Sequence, residues 1–347
     1  MEPLYIDDWI VRMDQTNTLK ELTEIKQELF SKIFDNVAIQ EEMDVFHLYH
    51  TLSQIHDLLT KKAVSFAEKQ TQEEKIGLPP ERYAWLIMGS GGRKEQTKRA
   101  DQDNGLIYCI GESQSQEQVE RFVRRFAVLA VNNLMALGYP LCQGNVMATN
   151  PRWQKTLNGW KETITSWGDQ DSMNDIRYIF IAADFRVIYG DQELGEQLRN
   201  WMLTFIQNNS RLLKRIANYI LSYEVPLGLF GQFYTERWGS YAGQFDLKYG
   251  VYIPWLNIIH WLSFFAGIKE TTIIERLIML RDKGFISNKE FQIVFHSFTV
   301  LLRLRFKFSS HHIDPKQLTS SERVELKKTL KGIKKLRRRI RILSYGI

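Results

Sequence analysis

From Ile6 to about Lys75 apolar residues recur every three or four positions. Leu19, Leu22, Ile25, Leu29 and Ile33 form one stripe and Val45, Leu48, Leu52, Ile55 and Leu59 another. That is the period of helices with one buried face, so residues 1–80 are expected to hold two or more antiparallel helices. The stretch 71–82 (TQEEKIGLPPER) is polar and ends in a proline pair, the mark of a boundary. After it the pattern changes to a short apolar run (83–88), a Gly/Ser turn, a polar loop and a second apolar run (105–110). This predicts strand, turn, loop, strand. Residues 117–137 return to helical spacing, with Gly138 as the stop. Residues 139–148 and 178–182 read as further short strands or buried segments. A mixed α/β core over 81–195 follows from this order of elements. Beyond it, helical periodicity over 194–221, 255–266, 271–283, 289–306 and 320–343 predicts an all-α helical bundle spanning 196–347.

Composition agrees with packed domains: 44% of the 347 residues are hydrophobic and 25% charged. The two cysteines, Cys109 and Cys142, and an N-terminus with no basic region before an apolar stretch point to a reducing cytoplasm. The most apolar stretch, 251–268, carries Pro254, Asn257, His260 and Ser263. It reads as a buried helix rather than a membrane span. The net charge of +6 is concentrated in residues 324–341, where nine Lys or Arg stand against Glu325 alone. Leu326, Leu330, Ile333, Leu336 and Ile340 share that segment at helical spacing. An amphipathic helix with a docked face and a basic face follows; the basic face is either simply solvated or a docking surface for an acidic macromolecule. With no other basic groove interleaved with aromatics, nucleic acid is disfavoured as a partner.

The chemistry-bearing segment runs from Ile87 to Ile107 (IMGSGGRKEQTKRADQDNGLI). Gly89, Gly91 and Gly92 around Ser90 let backbone approach a ligand, and amides in such a turn can accept phosphate oxygens. Arg93, Lys94, Lys98 and Arg99 add cations suited to a triphosphate. Asp101 and Asp103, at i and i+2 leading into a strand, project to one face. Two adjacent carboxylates repel unless a cation joins them, so an oxygen-ligand Mg²⁺ site, with Mn²⁺ as the substitute, is expected. In-line phosphoryl transfer is the chemistry such a site performs.

The segment resembles the DNA polymerase beta nucleotidyltransferase superfamily. More closely, it resembles the nucleotidyltransferases related to the N-terminal part of the PII-protein uridylyltransferase (GlnD-like), often fused to CBS domains. GSGGRKEQ followed by ADQDNGLI is similar to that family's GS-x-GR-x-EQ and TDQDN-x-L, with Gly91 and Ala100 departing from its usual Glu and Thr. NVMATNPRW (145–153), ADFRVIYGD (183–191), VPLGLFG (225–231), FDLKYG (245–250) and LRLRF (302–306) extend the likeness. The resemblance implies an α/β nucleotidyltransferase core followed by a helical substrate-binding domain, here without CBS domains. Nucleotide and phosphate binding is then expected at Gly89, Ser90, Gly92, Arg93 and Lys94, and metal at Asp101 and Asp103. A third carboxylate is expected at Asp184 of the ADFR motif, which could alternatively be a structural acid paired with Arg186. The implied activity moves a nucleoside monophosphate from a triphosphate to an acceptor, a PII-like signalling protein by analogy. The acceptor would rest against the helical domain near Asp246, Lys248, Arg303 and Arg305. The competing reading is a catalytically weak or inactive nucleotide-sensing module that keeps the fold.

Overall fold

A computed structural model describes residues 6–34, 44–98, 100–170, 172–228, 230–308 and 310–346. Arg99 lies outside the described residues. The N-terminal stripes form helices α1 (Ile6–Gln15), α2 (Leu19–Phe34) and α3 (Val45–Glu74). Strand β1 (Arg82–Ile87), a single helical turn over Gly89–Gly92 and strand β2 (Asn104–Cys109) follow. Next come α4 (Gln116–Ala136), β3 (Gln154–Thr156), α5 (Leu157–Asp169), α6 (Met173–Ala183), β4 (Arg186–Gly190) and α7 (Gln192–Gln207). Helices α8 (Ser210–Ser222), α9 (Ile253–Ala266), α10 (Ile273–Asp282), α11 (Asn288–Lys307) and α12 (Ser320–Tyr345) complete the helical part, with a two-stranded ribbon of β5 (Phe245–Asp246) and β6 (His312–Ile313). The fold is therefore an α/β nucleotidyltransferase-type core, a mixed sheet with helices, plus a C-terminal helical region. Among the described residues no helix is long and apolar enough to cross a membrane.

The chain divides into two compact units, Met1–Ile164 with Asp184–Arg199, and Thr165–Ala183 with Asn200–Ile347. In the first, the sheet order is β3-β2-β1-β4, with β1 antiparallel to both neighbours and β2 parallel to β3. Ala84 to Ile87 are all buried. A central strand covered on both faces shows such a continuous apolar run rather than alternation. Trp85 meets Phe126 of α4 edge-on at 5.7 Å between ring centres, and α3 packs along α4 and β4. Of the two segments expected as short strands or buried stretches, the strand alternative falls away in both, while Ile179, Phe180, Ala182, Tyr139 and Val146 to Ala148 are buried. Residues 178–182 lie inside α6, because their β-branched and aromatic side chains serve a helix face packed on α8. Residues 139–148 form no strand beyond an isolated bridge between Gln102 and Leu141, whereas β3, just beyond them, does pair. Propensity loses to tertiary context in both places.

In the second unit α12 buries Leu326, Leu330, Ile333, Leu336 and Ile340, the apolar face the spacing predicts. Several of its cations are used internally: Lys334 donates to the Leu227 carbonyl (2.6 Å) and Arg339 to Glu290 (3.0 Å). The apolar run at 251–268 is α9 and its flanks, with Asn257, His260 and Ser263 buried. The His260 ring and Ser263 hydroxyl bond the Leu256 and Ile259 carbonyls, four residues back, at 3.0 and 2.8 Å. A buried helix absorbs such polar groups by returning them to its own backbone.

One buried network in the first unit is pH-sensitive. His56 of α3 is fully buried, with Nδ1 2.7 Å from the Tyr139 hydroxyl. Lys26 of α2 sits over the Tyr139 ring and donates to the Leu137 carbonyl (2.5 Å). Burial, and then the nearby Lys26 ammonium, pull the His56 imidazole down to about 3. The unfolded chain takes up this proton near its ordinary value of about 6.5, while the fold refuses it until about 3. Stability thus falls as pH drops through that window, by about 1.4 kcal/mol per unit. Denaturant titrations at pH 7 and pH 5 should show wild type losing about 2 kcal/mol more than His56→Asn.

Candidate active site

The site follows from the register of β1 against β2. Ile87 is opposite Asn104, and one residue further Met88 N–H donates to the Asp103 carbonyl (2.8 Å). The chain leaving β1 therefore turns directly beside the acids that precede β2. The turn is helical: Gly92 N–H reaches the Met88 carbonyl (3.0 Å) and Arg93 N–H the Gly89 carbonyl (3.2 Å). The amides of Gly89, Ser90 and Gly91 precede the first of these bonds, which is where helical turns present donors to anions.

The glycines have separable reasons. Gly89 has φ +52°, and a Cβ there would lie 2.4 Å from Asp103 Oδ2. A Cβ on Gly92 would lie 1.7 Å from the Asp184 carbonyl oxygen. Gly89 therefore makes room for a site carboxylate, and Gly92 lets the turn press on the backbone before β4. Gly89→Ala should cost about 1 to 2 kcal/mol for the left-handed backbone and displace Asp103. Thermal unfolding together with a Mn²⁺ titration checks both parts, with metal affinity expected to drop at least about tenfold. Arg186 braces the same turn, donating from Nε and Nη2 to the Gly91 carbonyl (3.1 and 2.9 Å) and from its guanidinium to Asp57 of α3 (2.5 and 2.9 Å).

Asp101 and Asp103 flank Gln102, and the expected alternation holds. Gln102 is buried, its amide donating to the Tyr139 and Val131 carbonyls at 3.0 and 3.2 Å. The two carboxylates are half-buried, turned away from it. A third group joins them: a ligand atom from each of Asp101, Asp103 and Cys142 lies within 4.8 Å of the others. Cys142 is held there by stitching on both sides. Gln102 N–H donates to the Pro140 carbonyl (3.1 Å) and Asn104 N–H to the Val146 carbonyl (3.0 Å). The Asn104 side chain adds a bond from Ala148 N–H (2.8 Å). Between these anchors the chain makes a turn through Asn145, at φ +53°. Burial, then the charge of Asp103 and a hydrogen bond with it, push the Cys142 thiol up to about 12. Near neutral pH it is a protonated donor to that carboxylate.

The cations expected to serve the triphosphate are divided. Lys94, at φ +60°, and Lys98 are exposed. Arg93 is buried, with Nη1 2.5 Å from Asp184 Oδ2 and Nε 3.0 Å from Glu95. Asp184 is 2% exposed in this pair, and it is not among the three clustered ligand groups. Its partner is thus Arg93, whereas Arg186 turns to Asp57. The strand beside β2, where a further acid could face the pair, is β3, and it offers Gln154, Lys155 and Thr156. Glu95 and Cys142 are the participants that sequence reasoning missed. Glu95 stood in the quoted motif without a role. Nothing in LCQGN beyond a Pro–Gly-flanked cysteine marks Cys142.

Of the second-unit residues expected near an acceptor, Lys248 sits 5.2 Å from the Tyr249 ring centre. Asp246 accepts from Tyr249 N–H (2.8 Å) and lies 3.8 Å from His312; Arg305 covers the Tyr252 ring at 4.0 Å; Arg303 is exposed.

Comparison with known families gives two matches. Residues 29–174 match the family described as "Putative nucleotidyltransferase DUF294", and residues 210–342 match "Putative nucleotidyltransferase substrate binding domain". A comparison with curated proteins yields no match.

Proposed function

As a member of the DUF294 nucleotidyltransferase family, this chain, we propose, transfers a nucleoside monophosphate from a nucleoside triphosphate to a hydroxyl on an acceptor protein. The observation that carries the reading is the side-by-side placement of the Asp101 and Asp103 carboxylates next to a glycine turn with leading amides. Two half-buried oxygen donors suit a hard divalent cation such as Mg²⁺, and these residues would hold it. Bound there, the cation would neutralise the triphosphate and stabilise the charge developing during transfer. The Gly89–Gly92 turn presents its first amides to phosphate oxygens, and Lys94 and Lys98 add exposed positive charge beside it. The acceptor oxygen attacks the α-phosphorus, its proton passes to solvent, and pyrophosphate leaves. Arg93 and Asp184 act as positioning residues in this scheme: their buried pair, completed by Glu95, braces the turn from behind.

A macromolecular acceptor is supported by the second unit. Around 228–249 it displays Phe230 (96% exposed), Trp238 (85% exposed) and Tyr234, the side-chain types that anchor protein interfaces. The exposed cations of α12 would favour an acidic partner. By resemblance to the uridylyltransferases, UTP is the first triphosphate to test.

One finding favours a second reading, a nucleotide sensor. Arg93 is engaged by Glu95 and Asp184, which leaves phosphate recognition to the amides and the exposed lysines. The test incubates the protein with each α-labelled triphosphate, Mg²⁺ and cell lysate. A labelled protein band from one nucleotide, removed by EDTA, is the expected result; nucleotide binding with no pyrophosphate release in any combination would leave the sensor reading standing instead.

A further inference from the structure

We propose that Cys142 is a third ligand of the Asp101–Asp103 cation site, which makes it a mixed oxygen and sulfur site that takes a thiophilic divalent cation, of the Zn²⁺ and Cd²⁺ class, more tightly than Mg²⁺. This inference rests on the reading of the acid pair as a cation site. Its own support is the position of the sulfur.

Three separate observations converge on that position. First, a carboxylate oxygen of each acid and the Cys142 sulfur all lie within 4.8 Å of one another, so a modest closure around one ion brings all three into its coordination shell. Secondly, the acids and the thiol come from segments about forty residues apart in sequence that backbone hydrogen bonds fasten together on either side of the cysteine, from Gln102 to Pro140 and from Asn104 to Val146. The sulfur is therefore held over the acids by the fold itself. Thirdly, among the described residues no further carboxylate joins this group. The neighbouring strand β3 presents Gln154, Lys155 and Thr156, and Asp184 is committed to Arg93.

Ligand chemistry then sets the selectivity. Carboxylate oxygens serve Mg²⁺, Mn²⁺ and Zn²⁺ alike, whereas a thiolate adds affinity for soft ions and little for Mg²⁺. On binding, the S–H bond breaks, the sulfur–metal bond forms and the proton leaves to solvent. A protein operating with Mg²⁺ would accordingly be blocked by traces of a thiophilic ion occupying the same acids.

Cadmium is the probe, because thiolate coordination gives it a charge-transfer absorption in the ultraviolet. The full chain, reduced and stripped with chelator, is titrated with Cd²⁺, and absorbance and proton release are read together. Wild type and Cys109→Ser, whose substitution lies at the far end of β2, should both develop the band with about one proton released per ion. Cys142→Ser should lose the band and bind Cd²⁺ at least about tenfold more weakly, and Asp103→Asn should also weaken binding. Absence of the band in wild type, or its persistence at full strength in Cys142→Ser, overturns the proposal. The outcome separates from that of the transfer assay. The expected Cd²⁺ behaviour with no labelled product from any triphosphate would retain the thiol ligand and reject transfer. Labelled product from a protein that shows no band would do the reverse.

Discussion

Asp103→Asn should abolish Mg²⁺-dependent transfer while leaving the fold intact, and Asp101→Asn should do the same. Either change removes one of two carboxylate charges, yet the replacement is nearly isosteric. If the lost charge stabilisation is worth about 4 kcal/mol, turnover falls by roughly a thousandfold. Stability should change by less than about 1 kcal/mol, because both acids are half-buried, the Met88 N–H bond to the Asp103 carbonyl is made by backbone, and an asparagine oxygen can still accept from the Cys142 thiol. Pyrophosphate release and thermal unfolding of each variant check the two halves. Retained turnover in the double variant would remove these residues from the chemistry.

Asp184→Asn should show the opposite profile. Asp184 and Arg93 are both nearly inaccessible, joined at 2.5 Å, with Glu95 on the other side of the guanidinium. Neutralising one partner leaves a buried cation half-compensated, at a cost of about 3 to 5 kcal/mol. Melting of the first unit should drop by about 10 °C, against almost no change for Asp103→Asn. Well below the melting transition the variant should keep measurable turnover, since the acid pair is untouched. A variant that melted like wild type but had lost turnover completely would show Asp184 acting in the chemistry instead.

The contrast between these acids also marks how far the sequence could be read. The i, i+2 spacing of Asp101 and Asp103 is a local signal, and strand alternation alone carries it into three dimensions. The glycine turn is local too, although its reasons are not: Gly89 makes room for a side chain fourteen positions away, and Gly92 for the backbone of Asp184. Pairings across the sheet have no local signature. Arg186 is two residues from Asp184 and was its obvious partner, but adjacent i, i+2 residues here diverge to Asp57 and Arg93. Cys142 was invisible for the same reason, since it reaches the acids only because the segment from Pro140 to Ala148 is sewn along the approach to β2. The helices were legible nearly throughout, as α4 and α12 show, because their apolar stripes repeat over many turns. The short strand β3, three polar residues held by parallel pairing with β2, offered no pattern to read.

The most direct test is the rate of pyrophosphate release from each triphosphate in Mg²⁺, measured at one temperature on wild type, Asp103→Asn and Asp184→Asn, all confirmed folded. Release by wild type with one preferred nucleotide, background release by Asp103→Asn and clear residual release by Asp184→Asn is the predicted order. Equal release by wild type and Asp103→Asn would contradict the assignment of the acid pair as the centre of the reaction.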